Sequence, residues 1–317
     1  MKTKKLLSWI LMVVLLFSFN FSSYATSLFD DSVQEDLERA ANVLLQSGWT
    51  QEEIDDLLTE EVLLEYKDVQ SVMVSDKKYF KVASSGDVSE VTEADCALAV
   101  EQRKLIAYER MIASRDAGEN SVGVMAVIPG GETVYDEVLT TDGYLEYYVS
   151  AYNCGNGEYI LSARYEWVID PYNKKVDVFG LGHCDGLTQV GDSGGVYYVY
   201  KADVTQQDGI GTIEYVAEIT TPTELCIDDG GTVVSQDLIS NTSETSALNH
   251  RGFIQYRAAL SSTTELNVSI FAEYLHQEAI IGVSPGLSFP EGGSIGITFE
   301  NKYKRMSPNP YLQFEVQ

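Results

Sequence analysis

Residues 191–195 read Gly-Asp-Ser-Gly-Gly, which sets Ser193 in a string that matches two kinds of hydrolase nucleophile. A serine hydroxyl attacks only when a base takes its proton. In one arrangement the histidine and the aspartate precede the serine. The first histidine of this chain is His183, immediately upstream, and the N-terminal half has none. In the other arrangement, Asp228 or Asp229 and then His250 or His276 would follow in workable order. That nucleophile, however, sits on a sharp strand-to-helix turn, and the residues after the string, VYYVYKADV, alternate like a strand. The string is therefore read as a hairpin turn, where Asp bonds its own backbone and Gly accepts positive φ. Ser193 stays a catalytic candidate only if a histidine reaches it.

Other groups that bear chemistry are dispersed. His183-Cys184-Asp185 has metal-ligand letters, but neighbours on a strand point to opposite faces, so no metal site is expected. Asp228-Asp229-Gly-Gly offers oxygens to calcium, yet no D-x-D-x-D loop supports it, and a tight turn is the expectation. No cofactor is expected beyond that calcium option. Cys96, Cys154, Cys184 and Cys226 lack a C-x-x-C spacing, which argues against a zinc knuckle. In an exported chain they permit disulfides, in three pairings. Cys154 with Cys184 is favoured because both end strand-like segments; four buried thiols are the alternative. Glu146, Glu158 and Glu166 lie on strands, but a glycosidase needs two carboxylates at a separation that sequence does not measure.

Tyrosine placement carries more information. In GYLEYYVSAYN, period-two alternation puts Tyr144, Glu146, Tyr148, Ser150 and Tyr152 on one face. Leu145, Tyr147, Val149 and Ala151 share the other face, which reads as core. The first face reads as a solvated sheet surface. Tyr144, Tyr148 and Tyr152 are its binding candidates, since rings beside carboxylates can stack on sugars. Cross-strand aromatic pairing is the structural alternative.

The elements that must carry these residues change character near residue 120. Before it the pattern is helical. Ser32-x-x-Glu35 and Thr50-x-x-Glu53 are capping boxes, Gly48 stops the first helix, and Thr92 opens a longer one. VQSVMVSDKKYFKVA reads as a short hairpin around Ser75–Lys78. The helical pair around GWTQEEI superficially resembles a helix-turn-helix, but its second helix is acidic where a reading helix needs Arg, Lys, Asn or Gln. After residue 120, short period-two runs alternate with Gly- and Asn-rich punctuation and no long helix intervenes. The fold class is α+β: residues 26–119 a small helical region with the hairpin, and 120–317 a mostly antiparallel β-sandwich-like domain.

RYEWVIDPYNKKVDVFGLGH, with Tyr165, Trp167, Pro171, Asp177 and Leu181, resembles a pattern in uncharacterised secreted proteins of Gram-positive bacteria. YLHQEAIIGVSPGLSFPEGGSIGITF adds to the resemblance. No activity comes with it. Tyr165 and Trp167 fall on one strand face and are expected in the core.

The leading segment agrees with export. Lys2, Lys4 and Lys5 precede an apolar run, Leu6–Phe21, shorter than the ~20 residues of a spanning helix. Ser23 and Ala25 then supply small residues at a cleavage site, so residues 1–25 read as a secretory signal. No membrane span is expected after cleavage. The net charge of −27 repels phosphate backbones, which argues against nucleic acid. The expected role is non-catalytic binding outside the cell, of a carbohydrate or protein ligand. A secreted glycan or peptide hydrolase is the second reading. An antimicrobial or toxin-like β protein, resting on the weakly charged run 265–300, is the third. Expressed in an exporting bacterial host, the released chain should begin at Thr26; N-terminal sequencing checks this, and a released chain that retains Met1 contradicts it.

Overall fold

A computed structural model describes residues 31–116, 125–128, 132–135, 142–190, 196–207, 211–261, 267–277, 287–288, 296–297 and 303–315. The chain divides into two units, Met1–Asp68 and Val69–Gln317. Among the described residues no helix is long and apolar enough to cross a membrane.

The first unit holds α1 (Asp31–Gln46), α2 (Gln51–Leu57) and α3 (Glu60–Leu64). The Thr50 capping box forms as its spacing predicts. The Thr50 hydroxyl accepts the Glu53 amide at 3.2 Å, and Glu53 Oε2 accepts the Thr50 amide at 2.6 Å. Thr59 repeats the cap on α3. Leu44, Ile54, Leu57 and Val62 are buried, so the apolar stripes face inward.

The second unit opens with β1 (Ser71–Val74), β2 (Lys78–Val82), β3 (Val88–Val91) and α4 (Glu93–Asp116). The strands β4 (Met125–Ile128), β5 (Glu132–Tyr135), β6 (Gly143–Gly155), β7 (Glu158–Ile169), β8 (Val176–His183) and β9 (Leu187–Gln189) follow. Next come β10 (Tyr197–Gln207), β11 (Thr212–Ile219), β12 (Glu224–Asp228), β13 (Gly231–Asp237), β14 (Thr245–Leu260) and β15 (Asn267–Gln277). The last are β16 (Leu287–Ser288), β17 (Gly296–Ile297), β18 (Tyr303–Arg305) and β19 (Tyr311–Glu315). One sheet runs β11-β10-β14-β7-β6-β2-β3, with β9 on β14 and β1 on β6. The second runs β12-β13-β8-β15-β18, with β19 on β15. Both are open, and β4–β5 and β16–β17 form separate two-stranded pairs.

One expected hairpin turns out otherwise. β1 and β2 do not pair with each other: both lie along the same edge of β6, Val74 opposite Ser150 and Lys78 opposite Tyr147. They are one strand line broken by a bulge. Ser75 holds the break, its amide donating to the Val149 carbonyl at 3.0 Å while its hydroxyl accepts the Val149 amide at 3.1 Å. The hairpin itself is β2–β3. Because β2 is joined to β6, it belongs with the larger sheet, in the unit that begins at Val69. Likewise β9 and β10 both pair with the edge of β14 that faces away from β7. The Gly-Asp-Ser-Gly-Gly string between them, residues 191–195, lies outside the described residues. A strand follows them, as the alternation predicts. Ser193 itself lies outside the described residues.

The two sheets share one core. Leu145, Tyr147, Val149 and Ala151 of β6 lie in it, as the alternation predicts. They meet Tyr165 and Trp167 of β7, Phe179 of β8, Ile254 and Tyr256 of β14, and Ile270 and Tyr274 of β15. A core so rich in tyrosine must satisfy its hydroxyls. Tyr147 donates to the Met306 carbonyl at 2.9 Å, Tyr256 to the Leu181 carbonyl at 3.3 Å, and Tyr198 to Gln236 Oε1 at 3.3 Å. β15, the start of the run 265–300, is nearly all interior, so this part is no exposed insertion hairpin. Residues 278–286, 289–295 and 298–300 of that run lie outside the described residues.

Gly252 of β14 sits opposite Tyr165, and a Cβ there would meet the Tyr165 ring at 2.4 Å. Only a residue without Cβ lets that ring lie across the strand, where it packs on Tyr274 at 4.7 Å between centroids. Gly252→Ala should cost about 1–3 kcal/mol through overpacking, read as a lower denaturation midpoint. An unchanged midpoint would show that the ring moves without strain.

Candidate functional site

The tyrosine face predicted for binding is covered. Tyr148 and Tyr152 are buried and Tyr144 is half-buried. Tyr148 stacks with the Arg164 guanidinium at 4.3 Å and has Lys77 at 5.3 Å from its ring. The helix α4 lies against β2 and β7. The Tyr148 and Tyr152 rings, enclosed this way, offer no stacking surface to solvent, while Tyr144 keeps part of its surface exposed. Glu146 and Glu166 do face each other across β6 and β7, while Glu158 sits at the far end of β7. Lys77 pairs with Glu146 at 3.1 Å. Beside them, burial and the charges of Glu146, Glu166 and Glu93 push the Cys96 thiol up to about 11, so it stays protonated and unreactive.

The predicted Cys154–Cys184 disulfide does not form; all four cysteines are thiols. Cys154 ends β6 in one sheet and Cys184 follows β8 in the other. Cys154 Sγ donates to the Tyr152 carbonyl, and Cys184 Sγ accepts the Ser269 amide at 3.3 Å. Asp228-Asp229 forms the tight turn between β12 and β13, with Asp228 Oδ1 accepting the Gly230 amide at 2.9 Å. Among the described residues no group of three or more His, Cys, Asp or Glu could hold a metal ion.

The structure joins histidines to aspartates far away in sequence, which the reading of the chain missed. At one end of the core, Asp177 Oδ1 accepts His276 Nδ1 at 2.7 Å, and its Oδ2 accepts the Tyr274 hydroxyl at 2.6 Å and Trp167 Nε1 at 3.3 Å. Nearby, Asp170 Oδ1 binds His250 Nδ1 at 2.8 Å, while Lys174 reaches Asp170 Oδ2 at 3.2 Å, Asn241 Oδ1 at 3.0 Å and the Ala247 carbonyl. His250 Nε2 faces the Ile239 carbonyl at 3.2 Å. An aspartate–histidine pair is half of a hydrolytic relay. Here Asp177 is filled with donors, Asp170 is ion-paired to Lys174, and the rings are buried. Among the described residues no Ser, Thr or Cys side chain hydrogen-bonds a histidine ring. These pairs hold the fold. The buried His183 ring meets the Cys184 carbonyl through Nδ1 at 3.0 Å, and its amide donates to the Gly230 carbonyl.

An opening lies along a different edge. Directly opposed residues of paired strands share a side. Ile213 and Tyr215 of β11 sit opposite Gln206 and Val204, on the side of the core residues Tyr200 and Ala202. Leu225 and Ile227 of β12 sit opposite Val234 and Thr232, again on the core side. Side chains in these positions should be covered by the facing sheet, yet all four are 46–50% exposed. Short strands joined through 220–223, β11 and β12 are the outer strands of their respective sheets. The two layers therefore do not close on each other here. Their inner apolar faces reach solvent, with Glu214, Glu218, Glu224 and Asp228 on the outer faces. TIEYVAEI and ELCID do alternate apolar with acidic residues, but that pattern alone says nothing of which neighbour is missing.

No protein-family model and no curated protein matches the sequence. Among solved structures, one titled "AvmM Catalyzes Macrocyclization in Alchivemycin A Biosynthesis" is similar over 50% of this chain and 79% of that chain, with 13% identity and a TM-score of 0.18. A likeness at that score supports neither a shared fold nor a shared chemistry.

Burial alone would raise the Asp170 carboxyl; His250 and Lys174 outweigh it and hold it down to about 2. Its stabilising contribution is therefore full above the unfolded-state value of about 3.9 and is lost as pH falls through about 2. Asp170→Asn should cost about 3–5 kcal/mol at neutral pH, because it leaves Lys174 buried without its counter-charge. The gap between wild type and variant should narrow below pH ~4 in acid-denaturation series. A gap independent of pH would show that the pair is not ionic.

Proposed function

We propose that this protein is exported and acts outside the cell as a non-catalytic binding protein, a β-sandwich open along one edge. Its ligand contacts the apolar inner faces at β11 and β12. The observation that carries the reading is the half exposure of Ile213, Tyr215, Leu225 and Ile227, all on core-facing positions. Scattered apolar residues on a surface need no explanation, but core-side residues left half exposed on the outer strand of each sheet are candidates for an interaction site. The acidic charge and the leading segment support work in an extracellular setting. A protein or other apolar-surfaced ligand fits the site better than a sugar, since Tyr215 is the one ring among these four side chains and the tyrosines of β6 are covered.

The neutral apolar dye Nile red tests this on the secreted chain. Its fluorescence should rise on mixing and should drop about tenfold, by the loss of roughly 1.4 kcal/mol of binding per decade, in the double variant Ile213→Asp, Ile227→Asp. Circular dichroism should stay native in that variant, because both positions are already half in water. Equal dye binding by both proteins would sink the assignment. So would hydrolysis of an ester, glycan or peptide that vanishes on Ser193→Ala.

A further inference from the structure

We infer that β11 accepts an added β-strand from an extended, basic segment of a partner protein. The inference rests on the binding reading of the same edge and names the partner and the mode. Three observations converge on it.

First, β11 pairs on one side only among the described residues, so alternate backbone N–H and C=O groups along Thr212–Ile219 point outward. Second, apart from the charges of Glu214 and Glu218, the usual protections of an edge strand are absent from β11. The strand has no proline and no lysine, and its pairing with β10 runs without a register shift. It also exposes Ile213, Tyr215 and Val216. A regular, uncharged-backbone edge of this length is a template for strand addition.

Third, the side chains specify what would add. On the core side, Ile213 and Tyr215 extend the apolar face of Val204, Ala202 and Tyr200. On the outer side, Glu214 and Glu218 flank Val216, with Glu218 already paired to Lys201 of β10 at 3.1 Å. A matching strand alternates apolar residues, turned into the opening, with lysine or arginine turned toward the glutamates. A second copy of this chain matches poorly. Each copy carries −27, and pairing two β11 strands about Val216 sets Glu214 against Glu218 of the other copy.

The test uses the full secreted chain and a blocked peptide of alternating valine and lysine, as long as β11. Controls are the valine–glutamate peptide and the valine–lysine peptide with a central proline. Hydrogen exchange should slow across 212–219 with the basic peptide alone, and affinity should fall steeply with salt. Glu214→Lys with Glu218→Lys should weaken binding about tenfold, through the loss of charge-assisted contacts. Protection by the acidic peptide equally well, or protection elsewhere only, overturns the inference. A dimer in solution that Val216→Lys dissolves overturns it in favour of a second copy. If Nile red still binds in an Ile213- and Ile227-dependent way while no peptide protects β11, the strand-addition mode fails and the apolar binding edge stands.

Discussion

Asp177 is the contact on which the arrangement of the two sheets depends. Its carboxylate sits on β8, in the smaller sheet, yet it accepts hydrogen from Trp167 of the larger sheet as well as from Tyr274 and His276 of β15. Trp167 Nε1 also donates to the Tyr274 hydroxyl at 2.9 Å, so the indole is tied to both partners. A buried carboxylate without donors is costly. Satisfied by three side chains from two sheets, it becomes a clamp with a single geometry, because each donor is itself packed. His276 stacks edge-on to Trp167 at 5.3 Å and Tyr274 to Trp167 at 6.0 Å. Polar satisfaction and aromatic packing here use the same atoms.

The second aspartate extends this locked end. Asp170 closes β7, His250 lies on β14 and Lys174 sits in the β7–β8 connection. Tyr200 stacks on His250 at 6.0 Å and accepts the Ile239 amide at 3.0 Å. The connections that leave β7 and β13 are thus fastened from within by charged and phenolic groups. Along β11 and β12 no comparable clamp exists among the described residues. The sheets are held at their polar end and part at this edge, and the contrast places the exposed apolar strip where it can meet another molecule.

Interrupted strand lines give the fold a second habit. β1–β2 along β6, β9–β10 along β14 and β19–β18 along β15 each present two short strands to one long neighbour. Each break lets the chain depart from the ladder and return without losing its place on the long strand. At the first break, Ser75 substitutes its hydroxyl for the missing backbone acceptor. At the third, Met306 turns into the core, and its carbonyl receives the Tyr147 hydroxyl. Short strands with a turn-like segment between them look like hairpins in sequence. Only the partner decides whether the chain reverses or continues.

What the sequence determined by itself was local: the Thr50 capping box, the period-two faces of β6, the Asp228 turn and the acidic charge. Each depends on residues within a few positions of one another, where propensity and side-chain direction act directly. It also identified Leu145, Tyr147, Val149 and Ala151 as core, since alternation encodes a face. It did not tell that the opposite face of β6 would be covered as well, because that depends on α4 and on Arg164, which arrives from the next strand. Nor could it pair Asp177 with His276 or Asp170 with His250, separated by 99 and 80 residues. No local pattern marks such partners; they meet because sheet order brings β8 beside β15 and β14 beside β7. The open edge is the same kind of fact. Ile213 and Leu225 alternate with acidic residues, and strand pairing puts both on the core side. Only the tertiary structure leaves them without a facing sheet.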